Sequence, residues 1–242
     1  MSPADTVVVT GAGKGIGTAI AHRLAADGRH VWCVDVLADR AEETARALRE
    51  AGGEATGAHC DVGDPGSVTA LWDRLAVAGP VSGLVNNAAV FPRGAALEIG
   101  LAEWQQVLAV NLTGAFLMCQ AFARQASGSG AVVNVASGQA FRPLAGGAHY
   151  AAAKAGLVNL GRVLALEWGP LGLRVNTLVP GLVPSDQSRA AVDDAGFAAQ
   201  ATITPLGRLA TPAEVAEGAA TLLSASFVTG QVLVVDGGVL RL

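Results

Sequence analysis

Cysteine, tyrosine, lysine and charge are all scarce, and each scarcity narrows the reading. The three cysteines, Cys33, Cys60 and Cys119, are odd in number and far apart, with no CxxC pair. Neither a disulfide framework nor a structural zinc site is indicated, and no metal is expected. They read as reduced, buried thiols. Only 15% of residues are charged, the net charge is −4, and no block of one sign occurs. The basic face that draws a nucleic-acid backbone is missing, so nucleic acid is not an expected partner. The start, "MSPADTVVVTGAG", has no basic stretch before an apolar core, and apolar runs elsewhere are broken by Gly, Asn, Arg or Asp before about 18 residues. No membrane association is expected, and the expected location is cytoplasmic.

What the chain has in quantity is apolar residues, 51% of 242, enough to bury a sheet on both faces. A chain of this length is ordinary for one α/β domain, so residues 1–242 are read as a single unit. Short β-branched runs at 6–10, 30–35, 54–61, 81–86, 130–137, 173–180 and 231–236 alternate with Ala/Leu-rich segments at 16–27, 39–51, 65–77, 101–126, 150–168 and 212–223. Such periodicities mark strands and helices. Strict alternation predicts right-handed βαβ crossovers and an α/β fold of three layers around a seven-stranded, doubly wound parallel sheet. "DPGSV" and "TPAEV" place Asp64 and Thr211 as N-caps before proline, and Glu214 completes a Thr-x-x-Glu capping box. Residues 182–210 fit no single element. An insertion beyond a strand's C-terminal end is placed to cover a ligand crevice.

The first strand runs into "TGAGKGIG". Gly11, Gly15 and Gly17 allow a tight turn, close backbone approach to a ligand and close helix packing, and amides at the helix start favour an anionic pyrophosphate. A plain strand-to-helix connection uses the same glycines. A Walker A loop is ruled out because Lys14 is followed by Gly15, with no Ser or Thr for magnesium, and GxGxxG spacing is not met either. Asp35 ends the second strand eighteen residues after Gly17. A carboxylate there can accept hydrogen bonds from an adenine ribose and repel a 2′-phosphate, which favours NAD over NADP. Lys14 is the counter-signal, since a cation in the loop can pair with that phosphate.

The lone tyrosine and one of the two lysines stand together in "HYAAAKAG". On a helix, Tyr150 and Lys154 are i and i+4 neighbours on one face. A phenol near its ordinary pKa of about 10 is a poor base, but an adjacent ammonium stabilises the phenolate. A surface tyrosine beside a solvated lysine has the same spacing. Ser137 tips the balance, because "VVNVASG" brings its hydroxyl to the C-terminal edge of the sheet, where ligands bind. Asn111 interrupts the apolar helix "LAVNLTGAFLM", and a polar amide there must find a partner or a water.

Taken together, "TGAGKGIG", "DV" at 61–62, "NNAA" at 86–89, Asn111, Ser137, the Tyr150/Lys154 pair, "PG" at 180–181 and the closing "TGQVLVVDGG" resemble the short-chain dehydrogenases/reductases. The resemblance covers essentially the whole chain and implies a Rossmann fold. It further implies that Tyr150 is the general acid or base, that Lys154 lowers its pKa and binds the nicotinamide ribose, that Ser137 orients the carbonyl, and that Asn111 holds a water in a proton relay. The cofactor set it implies is Gly11, Lys14, Gly15, Ile16, Gly17, Asp35, Val36, Asp61, Val62, Asn87, Ala88, Ala89, Pro180, Gly181, Val183 and Ser185, with Tyr150 and Lys154. Two positions depart from the family pattern: Ala89 stands where glycine is usual, and Ser185 where a threonine commonly meets the carboxamide. Val90, Phe91, Gln139, Phe141, Arg142, His149 and Leu182 are the implied substrate-facing positions, apolar except for Gln139, Arg142 and His149, of which the last two suit a carboxylate.

The expected activity is hydride transfer between NAD(H) and a secondary alcohol or ketone. The alternatives are an NADPH-dependent 3-oxoacyl thioester reductase, which would favour a basic group at position 35, and a non-catalytic dinucleotide sensor, which would not need both Tyr150 and Lys154. The resemblance implies a tetramer packed through its long helices, and Ala-rich helix faces at 115–126 and 151–165 permit that close approach, so a homotetramer is expected, with a dimer as the alternative.

Overall fold

β-Branched runs become strands β1 (Thr6–Thr10), β2 (His30–Asp35), β3 (Glu54–His59), β4 (Val81–Asn86), β5 (Gly130–Val135), β6 (Leu173–Pro180) and β7 (Val232–Val235). This is a computed structural model of the chain, and it describes residues 5–126, 128–189 and 192–240. The strands form one parallel sheet in the order β3-β2-β1-β4-β5-β6-β7. The winding reverses between β1 and β4, so a crevice opens there beyond the strands' carboxyl ends.

The helices are α1 (Gly15–Ala26), α2 (Ala38–Glu50), α3 (Pro65–Ala78), α4 (Leu101–Leu108), α5 (Ala115–Gln125), α6 (Ala148–Trp168), α7 (Asp186–Arg189), α8 (Asp194–Ile203) and α9 (Pro212–Ser224). Strand alternation divides the core in two. Val7 and Val9 of β1 join Ile20 and Leu24 of α1 and Val215 of α9 on one face. Val8 joins Trp72 of α3 and Phe122 of α5 on the other. Burying one such aliphatic side chain stabilises by about 1.5–3 kcal/mol, so the two-sided central strands anchor the layers that carry the site.

Both expected caps are present. Asp64 accepts from the amides of Gly66 and Ser67 at 3.2 and 3.0 Å, and Thr211 and Glu214 bond reciprocally at 3.3 and 2.8 Å. Other boundaries differ from the sequence reading for local reasons. β5 stops at Val135, because the Ser137 side chain leaves the ladder to cap a 3₁₀ turn, Gly138–Ala140. The single helix expected over 101–126 is α4, a π turn (Ala109–Gly114) and α5. A π turn adds a residue to the helical winding and is commonly found at functional sites. Leu101–Gln125 is long and apolar enough to cross a membrane by length and composition, yet here it packs against α3, α6 and β4.

Candidate active site

Where β1 meets α1 the backbone passes close beneath the end of β4, and only glycine fits. A Cβ on Gly11, whose φ is +62°, would lie 2.8 Å from the Cα of Ala88, and one on Gly17 would lie 2.0 Å from the carbonyl oxygen of Gly11. Gly15, with φ +60°, is different: a Cβ there would meet only Ser185, at 3.7 Å, across the space between the loop and the end of β6. The loop itself is held from behind. Thr18 and Thr44 donate to the Ala12 carbonyl at 2.8 and 3.0 Å. Thr10 accepts from the amides of Asn87 and Ala88 at 3.0 and 3.1 Å, while the Asn87 side chain donates to the carbonyls of Thr10 and Gly11.

α1 starts after the exposed Lys14 with no side-chain cap. Its first-turn amides are therefore left for an anion. Asp35 accepts from the amides of Gly13 and Leu37, both at 3.0 Å, so its carboxylate stands against the glycine loop, with Val36 exposed beside it. A Cβ on Gly13 would lie 2.8 Å from Asp35 Oδ2 and 2.7 Å from Arg40 Cβ, which brings Arg40 to the same corner. Asp61 accepts from the Gly63 amide at 2.8 Å, and Val62 is buried with its carbonyl against Gly114 of the π turn. An uncapped helix start, a glycine facing open space and a carboxylate at the end of β2 fit a dinucleotide.

The other end of the crevice holds the titratable groups. Lys154, buried in α6, donates from Nζ to the Val135 carbonyl at 2.7 Å and lies 5.8 Å from the centre of the Tyr150 ring. Burial brings its ammonium down to about 8. Burial pushes the Tyr150 phenol up, and a hydrogen bond with Ser137 pulls it partly back. Burial, and not the lowering by Lys154 expected from the sequence, is the largest effect on the phenol; Phe91 packs against the ring with centres 4.4 Å apart and planes inclined by 50°. A cation at this distance still favours the phenolate once the proton leaves.

Asn111, buried in the π turn, is committed to the loop after β4. Its Oδ1 accepts from the Val90 amide at 2.9 Å and its Nδ2 donates to the Val90 carbonyl at 2.8 Å. Its side chain thus fixes the backbone that carries Phe91.

A cleft of about 460 Å³ lies at this end of the crevice and reaches the β1–α1 turn at Ile16. Ile16, Asn87, Ala89, Ser137, Tyr150 and Lys154 line it, as do Pro180, Gly181, Val183 and Ser185 of the β6 end. Of the expected substrate-facing positions, Phe91, Gln139, Arg142 and Leu182 face the cleft. Three do not line it. Val90 is tied to Asn111, Phe141 packs with Ala136, Val158 and Val179, and His149 is fully buried against Glu103.

Residues within 182–210, the segment expected to cover a crevice, form part of the remaining wall, and sequence reasoning missed the contribution of the tail. α7 and α8 bring Ser188, Gln200 and Ile203, and the chain's last described residues bring Asp236, Val239 and Leu240. Asp236 accepts from the amides of Gly238, Val239 and Leu240 at 2.8, 3.2 and 2.6 Å, folding the tail back over Gly138. The Asp-Gly-Gly sequence was a usable turn signal. Nothing in it says which cavity the turn will close.

Residues 11–240 match a family model described as enoyl-(acyl carrier protein) reductase. The chain is 42% identical to D-threitol dehydrogenase of Mycolicibacterium smegmatis, over 96% of this chain and 91% of that protein. It is 44% identical to cis-4-hydroxycyclohexanecarboxylate dehydrogenase of Sinomonas cyclohexanicum, over 96% and 94%. It belongs to the short-chain dehydrogenase/reductase family. A proposed NAD(P)-dependent gluconate 5-dehydrogenase from Beutenbergia cavernae, crystallised with NADP at low occupancy, superposes with a TM-score of 0.94 at 40% identity, covering 98% of each chain. As a short-chain dehydrogenase/reductase with these relatives, the protein is an oxidoreductase of secondary alcohols and ketones that uses a nicotinamide dinucleotide.

Proposed function

We propose that Tyr150 moves the proton in this reaction, giving it to the carbonyl oxygen in reduction and taking it from the hydroxyl in oxidation. The observation that carries this is the phenol's position in the cleft, between Ser137 and the buried Lys154. Ser137 orients the substrate oxygen, and Lys154 stabilises the phenolate and holds the nicotinamide ribose. Asn111 anchors the Phe91 loop. When bound, the nicotinamide supplies or accepts the hydride. The main-chain groups at Asn87 and Ala88 and the loop at Pro180, Gly181 and Ser185 would hold it.

NAD is the preferred dinucleotide in this reading, because the Asp35 carboxylate sits where a 2′-phosphate would be repelled. Lys14 and Arg40 border the same corner and support residual use of NADP. The substrate is a secondary alcohol on a small hydroxylated or carboxylated skeleton. Phe91, Leu144, Leu182 and Ile203 offer apolar walls, Arg142 a cation at the rim, and the names of the threitol and hydroxycyclohexanecarboxylate dehydrogenases describe such skeletons. α7 and α8 act as the cover expected within 182–210. Exposed Leu101, Trp104, Phe116, Val163 and Leu166 on α4, α5 and α6 support self-association as a homotetramer. The three free, buried thiols are consistent with a cytoplasmic location.

Tyr150→Phe tests the central assignment. Turnover with a panel of secondary alcohols should fall by about 100-fold or more, while dinucleotide binding, followed by fluorescence titration, persists. Turnover near the wild-type level would remove Tyr150 from the chemistry.

A further inference from the structure

We infer that His149, held in one tautomer by Glu103, is a positioning residue that fixes the backbone of Tyr150. The inference rests on the reading that Tyr150 transfers the proton. Helix α6, which carries Tyr150, starts without a side-chain cap. Gly147 is the N-cap of α6 and has no side chain to offer. A Cβ at that position would lie 2.8 Å from Gln139 Oε1, so a capping side chain there would require Gln139 to shift. The first-turn amides of α6 still need acceptors, since none lies within the helix. One of those amides belongs to Tyr150.

His149 supplies the acceptor from inside the turn. Its Nδ1 lies 2.9 Å from the Tyr150 amide nitrogen. An amide N–H only donates, so Nδ1 must carry a lone pair and the proton must sit on Nε2. Nε2 lies 3.0 Å from Glu103 Oε1 on α4, and a carboxylate only accepts. Both ends therefore demand the same tautomer. The ring is fully buried, which leaves it no water to exchange partners with. Glu103, half-exposed on α4, thus sets the protonation pattern of a ring that holds the residue bearing the phenol.

The consequence is geometric. The Tyr150 ring is gripped by Phe91 on one side, while its backbone is gripped by His149. Loss of the second grip frees the first turn of α6 and spreads the phenol over positions away from Ser137. Cofactor contacts at the glycine loop are untouched, so the effect should appear in kcat and not in the dinucleotide KM.

Paired half-mimics of imidazole provide the test, with thermal melting run on each variant. His149→Ala should lower kcat by about tenfold or more, with dinucleotide KM within about twofold. His149→Asn places an amide oxygen near the Nδ1 position and should recover most of the loss, whereas His149→Gln, which reaches only the Nε2 position, should not. Glu103→Gln keeps an acceptor and should be nearly silent. Glu103→Lys presents only donors and should resemble His149→Ala. In the wild-type protein, the imidazole nitrogen shifts should report a bare Nδ1 and a protonated Nε2. A protonated Nδ1, or wild-type kcat in His149→Ala, would overturn the inference. Because Tyr150→Phe is assayed separately, inactivity of that variant alongside a fully active His149→Ala would discard only the positioning role.

Discussion

Asp35 gives both carboxylate oxygens to backbone amides, one in the glycine loop and one at the start of α2, so its charge is fixed at the corner where a ribose would lie. Asp35→Ala removes both the charge and the loop contact. The ratio of kcat/KM for NAD to that for NADP should fall by about tenfold or more, the equivalent of about 1.4 kcal/mol. An unchanged ratio from initial rates with the two dinucleotides would show that Asp35 does not read the ribose. The sequence placed this residue at a strand end and Tyr150 and Lys154 one helical turn apart, because a strand end and an i, i+4 spacing are local properties. It did not show the partners of His149 and Asn111. A histidine beside a tyrosine and an asparagine in an apolar helix read alike whether they face a cleft or a neighbouring backbone, and only chain crossings bring Glu103 and Val90 to them.

At the scale of elements, the β1–α1 turn uses its glycines for different reasons, and substitution should separate them. Gly17→Ala forces a Cβ to within 2.0 Å of the Gly11 carbonyl, so the loop must move and both melting temperature and dinucleotide affinity should drop. Gly15→Ala meets no close atom but adopts φ +60°, a left-handed conformation that costs an L-residue roughly 1–2 kcal/mol. Its melting temperature should fall less, while affinity is still lost because the methyl group enters the crevice. Equal melting losses for the two would contradict this division. The existence of most elements was legible from periodicity, and the caps of α3 and α9 were legible from four-residue motifs. The π turn was not. Its residues are ordinary helix residues, and the register changes where Asn111 bonds to the loop after β4.

For the whole molecule, burial of ionisable groups sets the alkaline limit of stability. Cys33 and Cys119 are pushed up to about 12 from 9.0 by burial, and Cys60 and Tyr150 also move up. Above about pH 9 the unfolded chain loses these protons while the folded chain keeps them, so the folded state binds more protons and stability falls as pH rises. Lys154 acts in the opposite sense. Lowered to about 8 from 10.5, it is released first in the folded state and adds stability between those values. Three thiols and a phenol outweigh one ammonium. Urea midpoints should therefore decline from pH 9 to pH 11, and Cys33→Ala should flatten the decline. A midpoint that rises over this range would reverse the balance. The sequence by itself determined the parallel α/β architecture, the glycine loop and the candidate acid–base pair, because each is written in residues close along the chain. Tertiary structure alone decided which side chains of α7, α8 and the tail from Asp236 line the cleft together with Phe91. It also decided the environment of the phenol, because burial and the Phe91 contact depend on elements that the chain brings together only when the sheet closes.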